Sequence, residues 1–191
     1  MCGIVGVYVF RDGGEPVAPG LLDTMRDAMF HRGPDDSRSW ISRDGTVGLG
    51  FRRLAIVDLS PSAMQPMANH DGQVQIVFNG EIYNHAEIRK ELDNLRRYHW
   101  RTDHSDTEVL LHAYEEWGID CVRRFRGMFA IAIWDGRTRT LWLVRDRIGI
   151  KPLYYALGVD RILFASEIKA LLQDPRLPRR VDEDAFYHYL S

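Results

Sequence analysis

Runs of apolar residues bounded by turn residues occur at both ends of the chain, and this pattern predicts strands there. The first run, Gly3 to Phe10, is rich in Val and Ile and ends at the turn signal Asp12-Gly13-Gly14. It predicts a buried strand that begins almost at the amino terminus. The other predicted strands cover residues 37–42, 47–54, 74–79, 129–134, 140–144, 153–157 and 162–165. Both halves of the chain therefore contribute to sheets.

Apolar residues at helical spacing predict three helices between these strands. The stripe of the first, over residues 19–30, consists of Leu21, Leu22, Met25 and Met29. Two more helices are predicted near residues 86–97 and 107–117. The last of the three is preceded by a capping-box pattern, Ser105 with Glu108 three residues on, in which each residue would satisfy a backbone N–H of the first turn.

Strands, then helices, then strands, with short connections, favour a layered α+β fold over a doubly wound parallel sheet. A final pattern over residues 181–191 starts like a helix but has no stop signal. We therefore expect residues 1–180 to form one domain and residues 181–191 to begin a linker or helix toward a further domain that is missing from this sequence.

Composition narrows the class of protein. The 191 residues are 45% hydrophobic and 27% charged, as in one ordinary globular domain. The net charge is -2 and both signs are mixed along the chain, so the sequence shows no basic segment of the kind that binds nucleic acid or an anionic membrane. The apolar first ten residues have neither the basic flank of a signal peptide nor the length of a membrane span. With only two cysteines and no disulfide framework, a reducing, cytoplasmic location is expected.

Cys2 is the first candidate for chemistry. It follows Met1 and precedes Gly3, and removal of the methionine would place a thiol and a free amine on one residue. An α-amine has a pKa of about 8, so close to neutral pH part of it is unprotonated and can act as base for the thiol of the same residue. The alternative is an inert cysteine at the start of a buried strand. Cys121, among apolar neighbours, is expected to be a core thiol.

Three further features of the sequence have both a chemical and a structural interpretation. Asn79-Gly80 is typical of a hairpin turn, yet an Asn amide beside a Gly N–H could also donate to an oxyanion. Arg53 could bind a carboxylate through its fork of donors, or be a solvated strand residue. Asp106 could accept from an ammonium, or be an acid favoured at a helix start. The sequence contains no metal-ligand spacing and no phosphate-binding loop.

Six sequence motifs follow one another along the chain. They are Met1-Cys2-Gly3-Ile4-Val5-Gly6, His31-Arg32-Gly33-Pro34-Asp35, Arg53-Leu54-Ala55-Ile56-Val57-Asp58, Asn79-Gly80-Glu81-Ile82-Tyr83-Asn84, Ser105-Asp106-Thr107-Glu108 and Arg145-Asp146-Arg147-x-Gly149-x-Lys151-Pro152-Leu153-Tyr154-Tyr155. Taken together, they closely resemble the glutaminase domain of glutamine-dependent asparagine synthetases, a class II (type 2) glutamine amidotransferase of the N-terminal-nucleophile hydrolases. The order and spacing match over essentially the whole chain. The glucosamine-6-phosphate synthase and purine amidotransferase branches of that class would have a Thr-Arg-Trp or Thr-Arg-Tyr arrangement where this chain has Arg53-Leu54.

The resemblance implies a four-layer α/β/β/α sandwich and a set of roles. Cys2 would be the nucleophile, and Asn79 with Gly80 would form the oxyanion hole. Glutamine would be bound by Arg53 at its carboxylate and by Asp106, with Glu81 alongside, at its amine. Backbone groups of Ile56 and Val57 would line the pocket.

The resemblance also implies partners. Ammonia would pass through an internal tunnel to a C-terminal synthetase domain of the same parent chain, which would use ATP and Mg²⁺ to make asparagine from aspartate. No cofactor or metal is expected within this domain, and homodimerisation stays open. Two alternatives remain: the parent amidates another carboxylate, such as a sugar acid or secondary metabolite, or the domain only binds glutamine without catalysis.

Overall fold

Two antiparallel sheets stacked face to face form the centre of the molecule. The computed structural model describes residues 1–55 and 63–190. The five-stranded sheet has the order β2-β3-β1-β9-β8 and the four-stranded sheet the order β4-β5-β6-β7. In chain order the described strands are β1 (Gly3–Val9), β2 (Asp36–Ile41), β3 (Val47–Arg53), β4 (Met67–Ala68), β5 (Val74–Ile82), β6 (Gly127–Asp135), β7 (Thr140–Arg145), β8 (Tyr154–Leu157) and β9 (Arg161–Ala165).

Helices cover the outer faces of both sheets. Helices α1 and α4 pack on the five-stranded sheet, and α2 and α3 pack on the four-stranded sheet. The described helices are α1 (Pro19–Asp27), α2 (His85–Asn94), α3 (Asp106–Trp117), α4 (Ile168–Leu171) and α5 (Glu183–Leu190), with 3₁₀ turns at Phe30–Arg32 and Gly118–Arg124. The layers are therefore α/β/β/α, which confirms the predicted sandwich.

Strand β1 is buried on both faces, which explains its nearly continuous apolar sequence. Val5 and Val7 face α1 and α4, whereas Ile4 points into the core between the sheets. That inner core is completed by residues such as Leu49 of β3 and Val77 of β5. Because each fully buried aliphatic side chain contributes roughly 1.5–3 kcal/mol, this alternation pins the register of β1 between its two neighbours.

The structure corrects two sequence-based expectations about where elements end. Helix α1 ends at Asp27 and not near residue 30, because the chain turns into the 3₁₀ segment Phe30–Arg32. Strand β5 runs through Asn79-Gly80 to Ile82, so the hairpin-turn interpretation of that dipeptide is wrong. The pairing partners of Asn79 and Gly80 lie on β6, which continues the ladder past both residues.

The predicted capping box at α3 is also wrong. Ser105 is the residue before the helix, but its side chain makes no capping hydrogen bond. The fully buried carboxylate of Glu108 instead accepts from the backbone N–H groups of Arg101, at 2.7 Å, and Thr102, at 2.8 Å. Glu108 therefore anchors the loop before α3 by accepting from two of its backbone donors.

The helix-like pattern at the end of the sequence forms α5, in which no residue is buried. Over residues 1–55 and 63–190, no helix is both long enough and apolar enough to cross a membrane.

Candidate active site

A cavity of about 230 Å³ opens at one end of the sandwich. It lies where the start of β1 and the end of β3 meet the end of β5 and the start of α3. Its wall contains each described residue that sequence analysis assigned to the site, namely Cys2, Arg53, Asn79, Gly80, Glu81 and Asp106. The other two predicted residues, Ile56 and Val57, lie outside the described residues.

The backbone around Cys2 is held by three neighbouring segments. The pair Gly3–Arg52 begins the β1–β3 ladder immediately after Cys2. The Arg32 guanidinium donates through Nε to the Cys2 carbonyl at 3.0 Å, and Glu167 in turn holds Arg32 at 3.1 Å. The Cys2 sulfur is 3.5 Å from the backbone nitrogen of Leu54, which donates to it. The Cys2 thiol in turn donates to the Leu54 carbonyl at 3.7 Å, so both backbone groups of Leu54 contact the sulfur.

The Arg32 contact depends on a close approach between two segments. A Cβ on Gly33 would lie 2.6 Å from the backbone nitrogen of Arg53, so only glycine lets the 3₁₀ turn lie against β3. The Asp35 carboxylate then accepts from the backbone N–H of Ala55 at 2.8 Å. Sequence analysis included the segment His31-Arg32-Gly33-Pro34-Asp35 among its motifs but gave Arg32 no role. No pattern in the neighbouring sequence marked Glu167 as part of the site.

Asn79 presents an unpaired donor in the cavity wall. The residue is 2% exposed, and its side-chain nitrogen has no hydrogen-bond partner among the described residues. Gly80 is required sterically, because a Cβ there would lie 2.1 Å from the Met128 carbonyl on β6. A buried amide donor without a partner is costly, and an acceptor that enters the cavity would satisfy it.

The two adjacent arginines at the end of β3 face opposite sides of the sheet, as the two-residue period of a strand requires. Arg53 lines the cavity and is 8% exposed. Arg52 does not; its guanidinium lies 4.6 Å from the ring centroid of Phe30 and 3.8 Å from the Asp27 carboxylate. A buried guanidinium in the cavity wall is suited to a carboxylate ligand.

Two carboxylates, those of Glu81 and Asp106, also line the cavity. Asp106 begins α3, and its Oδ2 accepts from the backbone N–H of Ile82 at 3.1 Å. Burial raises the pKa of Asp106, although that hydrogen bond and the neighbouring His85 oppose the rise. Glu81 is exposed. Asp106 thus combines the helix-start position predicted for it with a place in the cavity wall.

Gln65, which also lines the cavity, joins two of the elements around it. Its Oε1 accepts from the backbone N–H of Phe78 at 2.5 Å, and its Nε2 donates to the Thr107 hydroxyl at 3.2 Å. The side chain therefore ties β5 to the first turn of α3, which are the elements that carry Asn79 and Asp106. Sequence analysis missed Gln65 because its partners are distant along the chain.

The second cysteine is unlike the first. Cys121 is fully buried in the apolar core beneath α3, as predicted. Burial raises the pKa of its thiol to about 12, so it stays protonated at neutral pH. Within the described ranges, no group of three or more His, Cys, Asp or Glu side chains is placed to hold a metal ion.

Comparison with protein families gives one match over the whole chain. The model of the family described as "Glutamine amidotransferase domain" matches residues 1–191. The chain is 44% identical over 181 residues to asparagine synthetase [glutamine-hydrolyzing] 2 of Bacillus subtilis (strain 168), covering 94% of this chain and 23% of that protein. It is 38% identical to the amidase chry2 of Gibberella zeae, covering 90% of this chain and 26% of that protein.

A solved structure has the same fold. The glutamine phosphoribosylpyrophosphate amidotransferase of B. subtilis, complexed with ADP and GMP, superposes with a TM-score of 0.73 at 21% identity. The match covers 89% of this chain and 43% of that one. This chain thus spans about a quarter of the length of the two curated relatives above and less than half of the structural neighbour.

Proposed function

This chain belongs to the glutamine amidotransferase domain family, and from that premise we propose that it hydrolyses glutamine to glutamate and ammonia, with Cys2 as the nucleophile. The observation that carries the proposal is the convergence in one cavity of Cys2 and the unpaired amide of Asn79. A nucleophile beside an unpaired donor is the minimum that acyl transfer from an amide requires. Arg53 and Asp106 add a charge of each sign to the same wall.

These charges suit the two ends of an α-amino acid. The Arg53 guanidinium would bind the glutamine carboxylate through a pair of parallel hydrogen bonds. The Asp106 carboxylate would accept from the ammonium, with Glu81 at the mouth adding a second negative charge. A bound ammonium would also offset the desolvation that raises the pKa of Asp106. With both ends held, the side-chain amide is left free to reach Cys2.

The reaction then proceeds in two halves. The Cys2 sulfur forms a bond to the side-chain carbonyl carbon of glutamine, and the carbonyl oxygen becomes an oxyanion that Asn79 and Gly80 stabilise. The carbon–nitrogen bond breaks as the nitrogen takes a proton and leaves as ammonia. Water next attacks the γ-glutamyl thioester, the carbon–sulfur bond breaks, and glutamate leaves while the thiol is restored.

The base in this cycle is the α-amine of Cys2, which requires removal of Met1. While Met1 is attached, the Cys2 nitrogen is a planar amide whose lone pair is delocalised into the carbonyl, so it cannot accept the thiol proton. Met1 also lies in the wall of the same cavity. Its removal would therefore both create the base and enlarge the space for substrate.

We further propose that the ammonia serves an ATP-dependent and Mg²⁺-dependent synthetase domain of a longer parent chain that makes asparagine, and that this domain itself needs no cofactor. Support comes from relatives named asparagine synthetase, of which this chain covers 23% and 29%. The second candidate is a parent that amidates a different carboxylate. One relative with similar coverage is named an amidase and not an asparagine synthetase, so the glutaminase domain does not fix the acceptor.

The test is glutamate release from glutamine by protein whose processing is followed by intact-mass spectrometry. Preparations should be active in proportion to the fraction that lacks Met1, and Cys2→Ala should abolish activity while the fold is retained. Cys121→Ala, which removes the other thiol, is the matched control and should keep the activity. Full turnover by a homogeneous Met1-retaining sample would show that the Cys2 amine is not the base, and activity in Cys2→Ala would exclude the nucleophile.

A further inference from the structure

A buried lysine lines the cavity beside the amino terminus, and the cycle above does not use it. Lys151 is 7% exposed, whereas the chain's other two lysines, Lys90 and Lys169, are exposed. The one polar contact of its ammonium among the described residues is with the sulfur of Met1, at 3.5 Å. A thioether is a weak acceptor, so this charge is buried without an ion partner in that part of the chain, an arrangement that is costly unless it has a use.

The position of Lys151 is fixed by the turn before it. Asp146 accepts from the backbone N–H groups of Lys151, at 2.9 Å, and Ile150, at 2.8 Å. The Arg145 guanidinium donates to the Lys151 carbonyl at 2.7 Å. Gly149 has a φ of +68°, and a Cβ there would lie 2.9 Å from that guanidinium. The side chains of Asp146 and Arg145 therefore hold the backbone of this turn, and the turn places Lys151 in the cavity wall.

We propose that the Lys151 ammonium lowers the proton affinity of the amine that Cys2 acquires when Met1 is removed, so that more of this amine is free base at neutral pH. The inference rests on the proposed function, in which that amine is the catalytic base. Lys151 is a positioning residue in this scheme: it touches no reacting atom and acts through its charge. A nearby positive charge disfavours the protonated form of an amine.

The size of the effect follows from the geometry. The ammonium is 3.5 Å from the Met1 sulfur, and the covalent path from that sulfur to the Cys2 nitrogen spans at most about 6.5 Å. The ammonium and the nitrogen therefore lie within about 10 Å of each other. At that limit the proton-dissociation constant of the amine changes about twofold in a water-like dielectric and about fifteenfold at an effective dielectric constant of about 20.

Other charges face the same cavity and act on the amine as well. They come from the ends of β3 and β5, from the start of α2 and from the start of α3 with the loop before it: Arg53, Glu81, His85, His104 and Asp106. All of them remain in place when Lys151 alone is replaced. The difference between wild type and a neutral variant therefore reports the lysine charge.

The experiment is an NMR titration of processed protein labelled with ¹³C only in cysteine. The chain has two cysteines, so the Cys2 signals report the titration of its amine, coupled to that of its thiol, while buried Cys121 serves as an internal reference. In Lys151→Met the titration midpoint of the amine should rise by about 0.3 to 1.2 pH units. Lys151→Arg, which keeps the charge, and the surface control Lys90→Met should titrate as wild type. Lys151→Gln is a second neutral variant should the methionine variant misfold.

The same shift should appear in the kinetics. The acidic limb of the pH profile of kcat/KM for glutamate release should move to higher pH in Lys151→Met and not in Lys151→Arg. An unchanged amine midpoint in the folded neutral variants would overturn the inference, even if wild type is an active glutaminase. If the neutral variants shift the amine midpoint but processed wild type releases no glutamate, the inference about the amine is supported and the proposed function is refuted.

Discussion

Replacing Asn79 with alanine separates the cost of a buried donor from its use. The Asn79 amide nitrogen is buried and has no partner among the described residues. Such a donor has lost its water without compensation, which costs about 1–3 kcal/mol. Asn79→Ala removes both the donor and this cost, and the gain offsets the packing lost on truncation. We therefore expect the free energy of unfolding to change by less than about 1 kcal/mol, although Asn79 is only 2% exposed.

The expected effect on turnover is much larger. If the amide donates to the oxyanion, its loss should lower kcat about 10²–10³-fold, which corresponds to about 2.7–4 kcal/mol of transition-state stabilisation. The KM for glutamine should change little, since the contact is made in the transition state and not in the ground state. The assay is glutamate release over a range of glutamine concentrations, paired with chemical unfolding of the same sample.

Gln75→Ala is the matched control. Gln75 lies on the same strand as Asn79 and an even number of residues away, is also a buried carboxamide, and does not line the cavity. Its Nε2 donates to the Gly72 carbonyl at 3.4 Å. The control should therefore lose stability and keep kcat. An Asn79→Ala enzyme that binds glutamine poorly but turns over normally at saturation would make Asn79 a ground-state contact and refute the oxyanion assignment.

Two more predictions follow from the charges in the cavity wall. Arg53→Ala should raise KM by an amount equivalent to about 2–5 kcal/mol. Arg52→Ala should leave KM unchanged and lower stability by about 0.5–2 kcal/mol, because it removes the contacts of a buried guanidinium with Phe30 and Asp27. Equal KM effects would mean that the carboxylate-binding arginine is misassigned. Burial raises the pKa of Asp106, so at pH values above the ordinary Asp pKa of about 4 the ionisation of this carboxyl opposes folding. Asp106→Asn should therefore raise the melting temperature at neutral pH but not below about pH 4. The same substitution should increase the KM for glutamine. The exposed Asp12→Asn should change neither quantity, and a destabilised Asp106→Asn at neutral pH would contradict the sign of this argument.

Local pattern was enough to predict most elements of the fold. The apolar run at β1 and the stripe of α1 report burial directly, because a side chain's face is set by a period of two or 3.6 residues. The ends of the elements were predicted less accurately: α1 stops at Asp27 and not near residue 30, and β5 continues past residue 79 to Ile82. The residues that end an element depend on partners from elsewhere in the chain, as β6 shows by pairing with Asn79-Gly80.

The candidate site was predictable because its motifs resemble a known family, not because any single residue demanded it. Cys2, Arg53 and Asp106 each have a structural interpretation that is sufficient in isolation. Their convergence in one cavity is a property of the tertiary structure, which brings the start of β1 to the end of β3 and to the start of α3.

The sequence by itself determined the layered α+β class, the sandwich that its motifs imply and the set of residues to examine. Only the tertiary structure decided that Glu108 binds backbone donors of the preceding loop, that Arg32 reaches the Cys2 carbonyl, and that Lys151 lies beside Met1. The physical reason is distance along the chain: Lys151 and Met1 are 150 residues apart in sequence. Periodicity and turn chemistry act over a few residues, whereas a buried charge takes its meaning from whichever distant groups the fold places around it.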